Sequence, residues 1–400
     1  MDRRTFGRTT AAIFGGSLLP TAGADDSPPK APPGEAPRDP PDDHGPNFVS
    51  VADFRAAARA KLPPATFDYI ETGSADEVTL AENTAAFRRL RLLPPVLSGT
   101  AQADLSTSVL GTPVRFPILL APVAAQRLYH PQGALAAARA SAECGTLFGV
   151  SSSAANSLEE IAAAADGPKW YQLYVPKDRD LAARLVHRAE EAGYRALVVT
   201  VDLGEWKDAD RRNRFALPRA MLLKHLRDVG FANVDESLSD AELQRFNSTA
   251  WDLTFTWELF AWLRRRTKLP LVIKGVLRPE DARRAVEEGL DGVVVSNHGG
   301  RRLDGMPASI DMLPAVVDAI GGRSEVYLDG GIRRGTDVLK AVALGARAVL
   351  IGRPYAWALA ADGERGVRTV LELLRDELQS ALTSCGCARL ADVRPALILR

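Results

Sequence analysis

Residues 292–305 read Gly-Val-Val-Val-Ser-Asn-His-Gly-Gly-Arg-Arg-Leu-Asp-Gly. Their types suit proton transfer on a carboxylate-bearing ligand. The apolar run from Gly292 reads as a short strand buried on both faces, as in a parallel sheet. The residues after Val295 are not core material. The His298 imidazole accepts a proton near neutral pH. The Arg301 guanidinium presents a planar fork that matches a carboxylate. Gly299 and Gly300 let the backbone turn sharply and come close to a ligand. A buried histidine and a surface arginine on an ordinary loop would look the same in isolation. The neighbouring strand ends decide between the two readings.

Eight short apolar runs alternate with helical patterns from Pro117 onward. They are 118–122, 147–151, 170–174, 196–202, 271–274, 292–296, 326–329 and 348–352. Amphipathic segments lie between them, among them 134–144, 158–164, 181–192, 279–288 and 336–344. Eight β/α units predict a TIM barrel rather than an open sheet. Before the barrel, 51–60 and 65–71 read as short helices split by Pro63-Pro64. A third helix is expected over 76–90, with Asp76 and Glu77 in its first turn favouring the dipole. Tyr69 in the second helix faces either core or site. The one long break, residues 203–268, is polar and irregular and reads as a lid or insertion over the barrel mouth.

A barrel carries its chemistry at the C-terminal ends of its strands. Those ends supply Pro122, Val123 and Ala124; Ser151 and Ser152; Gln172 and Tyr174; Thr200 and Asp202; Lys274; then Ser296 and His298. The seventh end gives Asp329-Gly330-Gly331-Ile332-Arg333, and the eighth Gly352-Arg353. Any one of these polar groups is compatible with a satisfied core position, Ser152 most of all. Their convergence on one mouth is not. The glycines after strands seven and eight expose backbone N–H groups, and Arg333 and Arg353 add charge where this fold usually holds a phosphate. A phosphorylated ligand or cofactor is therefore expected. The bland alternative is a pair of loop arginines in surface salt bridges.

Composition narrows the class. The 400 residues suit one large α/β barrel domain with extensions. Lys+Arg and Asp+Glu are both 50, which argues against a nucleic-acid or polyanion binder. Cys144, Cys385 and Cys387 are too few for a disulfide scaffold and have no Cys/His cluster for zinc, so no metal site is expected. Residues 1–24 read as a twin-arginine signal peptide: Arg3-Arg4-Thr5-Phe6, a mildly apolar stretch from Ala11 to Leu19, and the small-residue site Ala22-Gly23-Ala24. The apolar stretch is too short to span a bilayer, which takes about 20 residues. Residues 25–46, rich in Pro and Asp, are expected to be an extended, disordered linker. The barrel domain is then 47–400, in a protein exported to the periplasm or another extracytoplasmic space.

Over about 47–400 the chain resembles the FMN-dependent (S)-2-hydroxy acid oxidase/dehydrogenase family, which includes glycolate oxidase, lactate oxidase, lactate dehydrogenase and mandelate dehydrogenase. Ser-Asn-His-Gly-Gly-Arg-x-Leu-Asp at 296–304 carries the resemblance. So do Leu-Asp-Gly-Gly-Ile-Arg-Arg-Gly-Thr-Asp-Val at 328–338, Ile-Gly-Arg-Pro at 351–354, and the stretches 67–69, 171–174, 197–202 and 272–275. It implies oxidation of a lactate-like or glycolate-like (S)-2-hydroxy acid to the 2-oxo acid. His298 is then the base, with the hydride equivalent passing to flavin N5. It also implies that Asp202 pairs with the imidazolium and that Arg301 and Tyr69 hold the substrate carboxylate, with Tyr174 beside the reacting carbon. Lys274 lies near flavin N1. Pro122, Val123, Ala124, Ser151, Gln172, Thr200 and Ser296 line the isoalloxazine. Asp329 holds the ribityl chain, and Gly330, Gly331, Arg333, Gly352 and Arg353 surround the phosphate. The electron acceptor is expected to be oxygen or a respiratory quinone or cytochrome, and the assembly a homotetramer.

The chain departs from the family pattern in places that concern the substrate. Lys207, in Gly204-Glu-Trp-Lys-Asp208, stands near a usual carboxylate-binding arginine, so a point charge replaces a fork. Ser153 replaces a frequent aromatic and widens the pocket, and Val123 replaces a common threonine. Two other classes remain as contrasts. A phosphate-binding isomerase or lyase barrel would be colourless. A silent FMN-binding scaffold would lack His298 or Asp202.

Overall fold

The computed structural model describes residues 47–203 and 216–399. The expected signal peptide and linker lie outside the described residues, as does Lys207. From Phe48 onward the chain is one compact unit. Eight parallel strands close into a barrel: β1 Ile118–Leu120, β2 Phe148–Ser151, β3 Lys169–Leu173, β4 Leu197–Thr200, β5 Leu271–Val276, β6 Gly292–Val295, β7 Glu325–Asp329 and β8 Ala348–Ile351. β8 pairs with β1, Leu350 opposite Leu119, so no edge is left open. This is the TIM barrel expected from the eight apolar runs.

Alternation along the strands divides two cores. Val198, Val272, Val294, Tyr327 and Leu350 point into the barrel with Leu119 and Trp170. Leu197, Val199, Ile273, Val293 and Val295 point outward under the helices. Trp170 and Tyr327 meet edge to face at 5.2 Å and fill the barrel interior. A small hairpin, Thr107–Val109 with Thr112–Val114, packs Val109 and Val114 against the same interior cluster.

The elements before the barrel begin with helices Val51–Lys61 and Pro64–Glu71. The third helix spans Val78–Arg89, two residues later than expected. Glu77 sits in the left-handed region at φ 63°, so neither Asp76 nor Glu77 is in the first turn. The acid at that N-terminus comes instead from Asp304, whose carboxylate accepts the N–H groups of Val78 (3.2 Å) and Thr79 (2.8 Å). The Leu303-Asp304 end of the motif therefore ties the barrel loop to the helical extension.

The segment expected to be irregular carries three helices among its described residues. Helices Arg219–Val229, Asp240–Thr249 and Glu258–Arg264 occupy it. Leu222, Leu223, Leu226, Val234 and Leu243 give the first two a small core of their own. Ser239 and Glu242 form a reciprocal capping box that starts the second. This part is also fastened to the barrel. Asp252 N–H donates to the Val175 carbonyl, Lys177 N–H donates to the Ala250 carbonyl, and Arg179 pairs with Asp252.

Candidate active site

The site follows from the strand alternation. Two residues beyond each interior residue, the next side chain points the same way, at the C-terminal mouth. Trp170 is followed by Gln172, Val198 by Thr200, Val272 by Lys274, Val294 by Ser296 and Tyr327 by Asp329. An apolar barrel interior is thus topped by a polar layer. A cavity of about 570 Å³ opens above it. Of the described candidate cofactor, substrate and catalytic residues named from the sequence, all but Ser296 and Asp202 line that cavity.

Ser296 is buried beside the cavity-lining Lys274 and His298. Its Oγ accepts from Lys274 Nζ at 2.9 Å and from the His298 N–H at 3.0 Å. It stands one residue past the end of β6 at Val295.

Lys274 is almost wholly buried, and its ammonium lies 3.1 Å from Asp329 Oδ2. Burial opposes its charge, but Asp329 and Asp202 overcome that and raise its pKa. A β-bulge between Lys274 and Val276 delivers it. The extra residue is Gly275, at φ 113°, where an added Cβ would stand 2.5 Å from the Asp202 Cγ. Only glycine lets Asp202 come so close.

Asp202 sits just past β4 and behind the imidazole, with its Oδ1 2.9 Å from His298 Nδ1. Burial works against its charge, but His298, Lys274 and Arg302 hold its pKa below the usual carboxylate range. Burial pushes His298 down to about 4, against the pull of Asp202. At neutral pH the pair is therefore an ionised carboxylate and a neutral ring. Asp202 fixes the proton on Nδ1, which leaves Nε2 with its lone pair. His298 itself is at φ 56°, a left-handed backbone that is uncommon outside glycine and concentrates at functional sites. Asn297 holds that turn. It exchanges amide hydrogen bonds with Asn83 at 2.9 and 2.8 Å. Its Nδ2 also donates to the Pro307 carbonyl.

Three cavity arginines meet over the C-terminal end of the Pro64–Glu71 helix. Arg301 donates through Nη1 to the Tyr69 and Ile70 carbonyls, and its guanidinium lies 5.2 Å from the centre of the Tyr69 ring. These contacts use one nitrogen and leave the rest of the fork for a ligand. Arg353 donates to the carbonyls of Ile70, Glu71, Thr72 and Gly299. Arg333 lies over the Trp357 ring at 5.0 Å. None of the three forms an ion pair with a carboxylate among the described residues. Burial depresses Arg353 to about 9, reinforced by Arg301 and Arg333, and burial depresses Arg333 to about 10. A buried positive field of this kind is what a phosphate would relieve. Gly331 leaves no room for a side chain, since a Cβ would fall 1.9 Å from the Asn83 carbonyl oxygen.

The cavity residues fit a flavin nucleotide by their own chemistry. Gln172 Nε2 and Asp329 Oδ1 are buried without a protein partner, a donor and an acceptor on strands that face each other across the barrel mouth. The arginines supply the anion end. Sequence reasoning missed Gly275, Asn83, Asn297 and the lid residues His225 and Trp251. Only the glycine after Lys274 left a trace in the sequence, as a break in an otherwise apolar strand.

Comparison with known proteins agrees with this geometry. The family model described as FMN-dependent dehydrogenase matches residues 58–400. The chain is 46% identical over 361 residues to 2-hydroxyacid oxidase 1 of Homo sapiens, covering 88% of this chain and 97% of the relative. It is 45% identical over 352 residues to an L-lactate oxidase of a Nostoc strain, covering 86% and 96%. Among solved structures it resembles mandelate oxidase bound to (S)-2-phenylpropionate, with TM-score 0.78, 42% identity and coverage of 88% and 98%.

Proposed function

The chain belongs to the FMN-dependent dehydrogenase family, and from that premise we propose that it oxidises an (S)-2-hydroxy acid to the 2-oxo acid with His298 as the base. FMN is its cofactor; when bound, it takes up the hydride equivalent lost from the hydroxyl-bearing carbon. Arg333 and the glycine loops hold the phosphate, Asp329 the sugar-like chain, and Gln172 the ring edge. The open side of the Arg301 fork, with Tyr69, holds the substrate carboxylate. His298 Nε2 then receives the hydroxyl proton as the carbon gives up its electron pair. Asp202 stabilises the imidazolium so formed. Lys274, anchored by Asp329 and Ser296, supplies fixed positive charge for the negative charge gained on reduction.

The observation that carries this reading is the 2.9 Å contact between His298 and Asp202 at the cavity wall. The names of the relatives favour oxygen as the acceptor, with hydrogen peroxide as its reduced product. Anaerobic addition of lactate, glycolate or a bulkier 2-hydroxy acid to the FMN-loaded protein should bleach the flavin spectrum. Admitting air should restore it with one peroxide per turnover. A flavin that no 2-hydroxy acid bleaches rules the reading out. One that bleaches but is restored only by a quinone or cytochrome rules out oxygen. Residues 1–24 are read as an export signal on their twin arginines; a precursor that stays uncleaved in the cytoplasm of the source cell would refute this.

A further inference from the structure

The cavity extends outward from His298 into a chamber built by the lid, and its lining differs from the charged floor. One face of the Asp240–Thr249 helix contributes Gln244, Asn247 and Ser248, and Trp251 comes one turn beyond Asn247. The spacing i, i+3 and i+4 puts the three helix residues on one side, and Trp251 follows the Ala250 cap. Opposite lie His225 and Met221 from the Arg219–Val229 helix. Ser153 adds a small side chain from the barrel side.

Trp251 is a fixed wall rather than a loose flap. Its ring centroid lies 6.2 Å from Tyr174, edge on, 6.2 Å from the stacked His225 ring, and 5.8 Å from Phe231 behind it. The backbone on either side of it is hydrogen-bonded to residues 175 and 177 of the barrel. His225 is buried, and burial alone depresses it to about 4, so the ring is neutral. Among the described residues, none of these lid side chains carries charge.

From this chamber, and resting on the function proposed above, we propose that the substrate is a 2-hydroxy acid whose side chain is an aromatic ring with a neutral hydrogen-bonding substituent. The carboxylate and hydroxyl stay at Arg301 and His298. The ring packs against the wall formed by Tyr174, Trp251 and His225, where edge and face contacts favour a flat group over an alkyl chain. Met221 adapts to its outline. Gln244 and Asn247 offer both a donor and an acceptor to a ring hydroxyl or similar group. A glycolate side chain, a single hydrogen, leaves this whole wall unused. A charged side chain would meet no charged partner among the described lid residues.

The test is the rate of flavin reduction per unit concentration for glycolate, (S)-lactate, (S)-2-hydroxyoctanoate, (S)-mandelate and (S)-4-hydroxymandelate, using FMN-loaded full-length protein. The expected order places 4-hydroxymandelate first, at least a hundredfold above glycolate and above the octanoate. Trp251→Ala and, independently, Ser153→Trp should each lower the mandelate-to-glycolate ratio tenfold or more. The first removes the wall, and the second fills the chamber from the barrel side should the lid variant fail to fold. Glycolate or lactate at the head of the series, or ratios unchanged in both variants, overturns this inference while the 2-hydroxy acid reading stands. Reduction by none of the five overturns both.

Discussion

At the scale of single residues, the account rests on a neutral imidazole held by an ionised carboxylate. Burial lowers His298 to about 4, so the base is present through the whole neutral range. The acid limb of kcat/KM should therefore fall well below pH 6.5, the ordinary histidine value. A limb centred at or above 6.5 would contradict the burial argument. The same shift has a stability consequence. As pH falls from 6.5 towards 4, the unfolded chain protonates this histidine before the folded one does, so the contribution of His298 to stability is lost across that window. Asp202→Asn removes the negative charge behind the imidazole and can turn an amide N–H toward Nδ1, which favours the wrong tautomer. Turnover should fall by roughly two to four orders of magnitude, with flavin content retained; stopped reaction assays on the holoprotein measure it. His298 and Arg301 are legible in the sequence because the other strand ends also carry polar groups that converge on the same mouth. Lys207 lies outside the described residues.

At the scale of elements, the positioning devices are backbone features. Gly275 forms the bulge that brings Lys274 and Asp202 together. Gly275→Ala places a methyl against the Asp202 carboxyl in a left-handed conformation. It should cost roughly 1–3 kcal/mol of stability and lower turnover together with it. Chemical denaturation reads the first effect, and an unchanged midpoint with full activity would refute the role of the bulge. The eight barrel strands are readable from unbroken apolar runs because parallel strands are covered on both faces. The insertion is readable as a lid, but its helices are not: they bury only a small core, and their apolar residues are diluted by Arg, Glu and Asp. The start of the Val78–Arg89 helix is hidden for a related reason. Its cap is Asp304, more than two hundred residues away, and no local pattern reports a long-range cap. The two-residue pairing of Arg91–Leu92 with Ile398–Leu399 is likewise too short to leave a periodic trace.

At the scale of the whole molecule, helical extension, barrel and lid meet around one cavity. The extension supplies the carbonyls that hold Arg301 and Arg353, the barrel supplies the polar layer, and the lid supplies the outer wall. The crowded arginines are costly without an anion, so FMN should raise the melting temperature by a few degrees at a hundredfold excess over its Kd, a stabilisation of about 2.7 kcal/mol. Arg333→Ala should shrink that rise and lower flavin retention on dialysis; equal retention would remove Arg333 from the phosphate site. The most direct measurement of the central claim keeps this assembly intact and removes only the proton acceptor. Parent and His298→Gln proteins, matched for bound FMN, are mixed anaerobically with a saturating 2-hydroxy acid, and the flavin absorbance is followed by stopped flow. Reduction in the variant should be roughly a thousandfold slower than in the parent. Reduction within tenfold of the parent rate would mean that His298 is not the base.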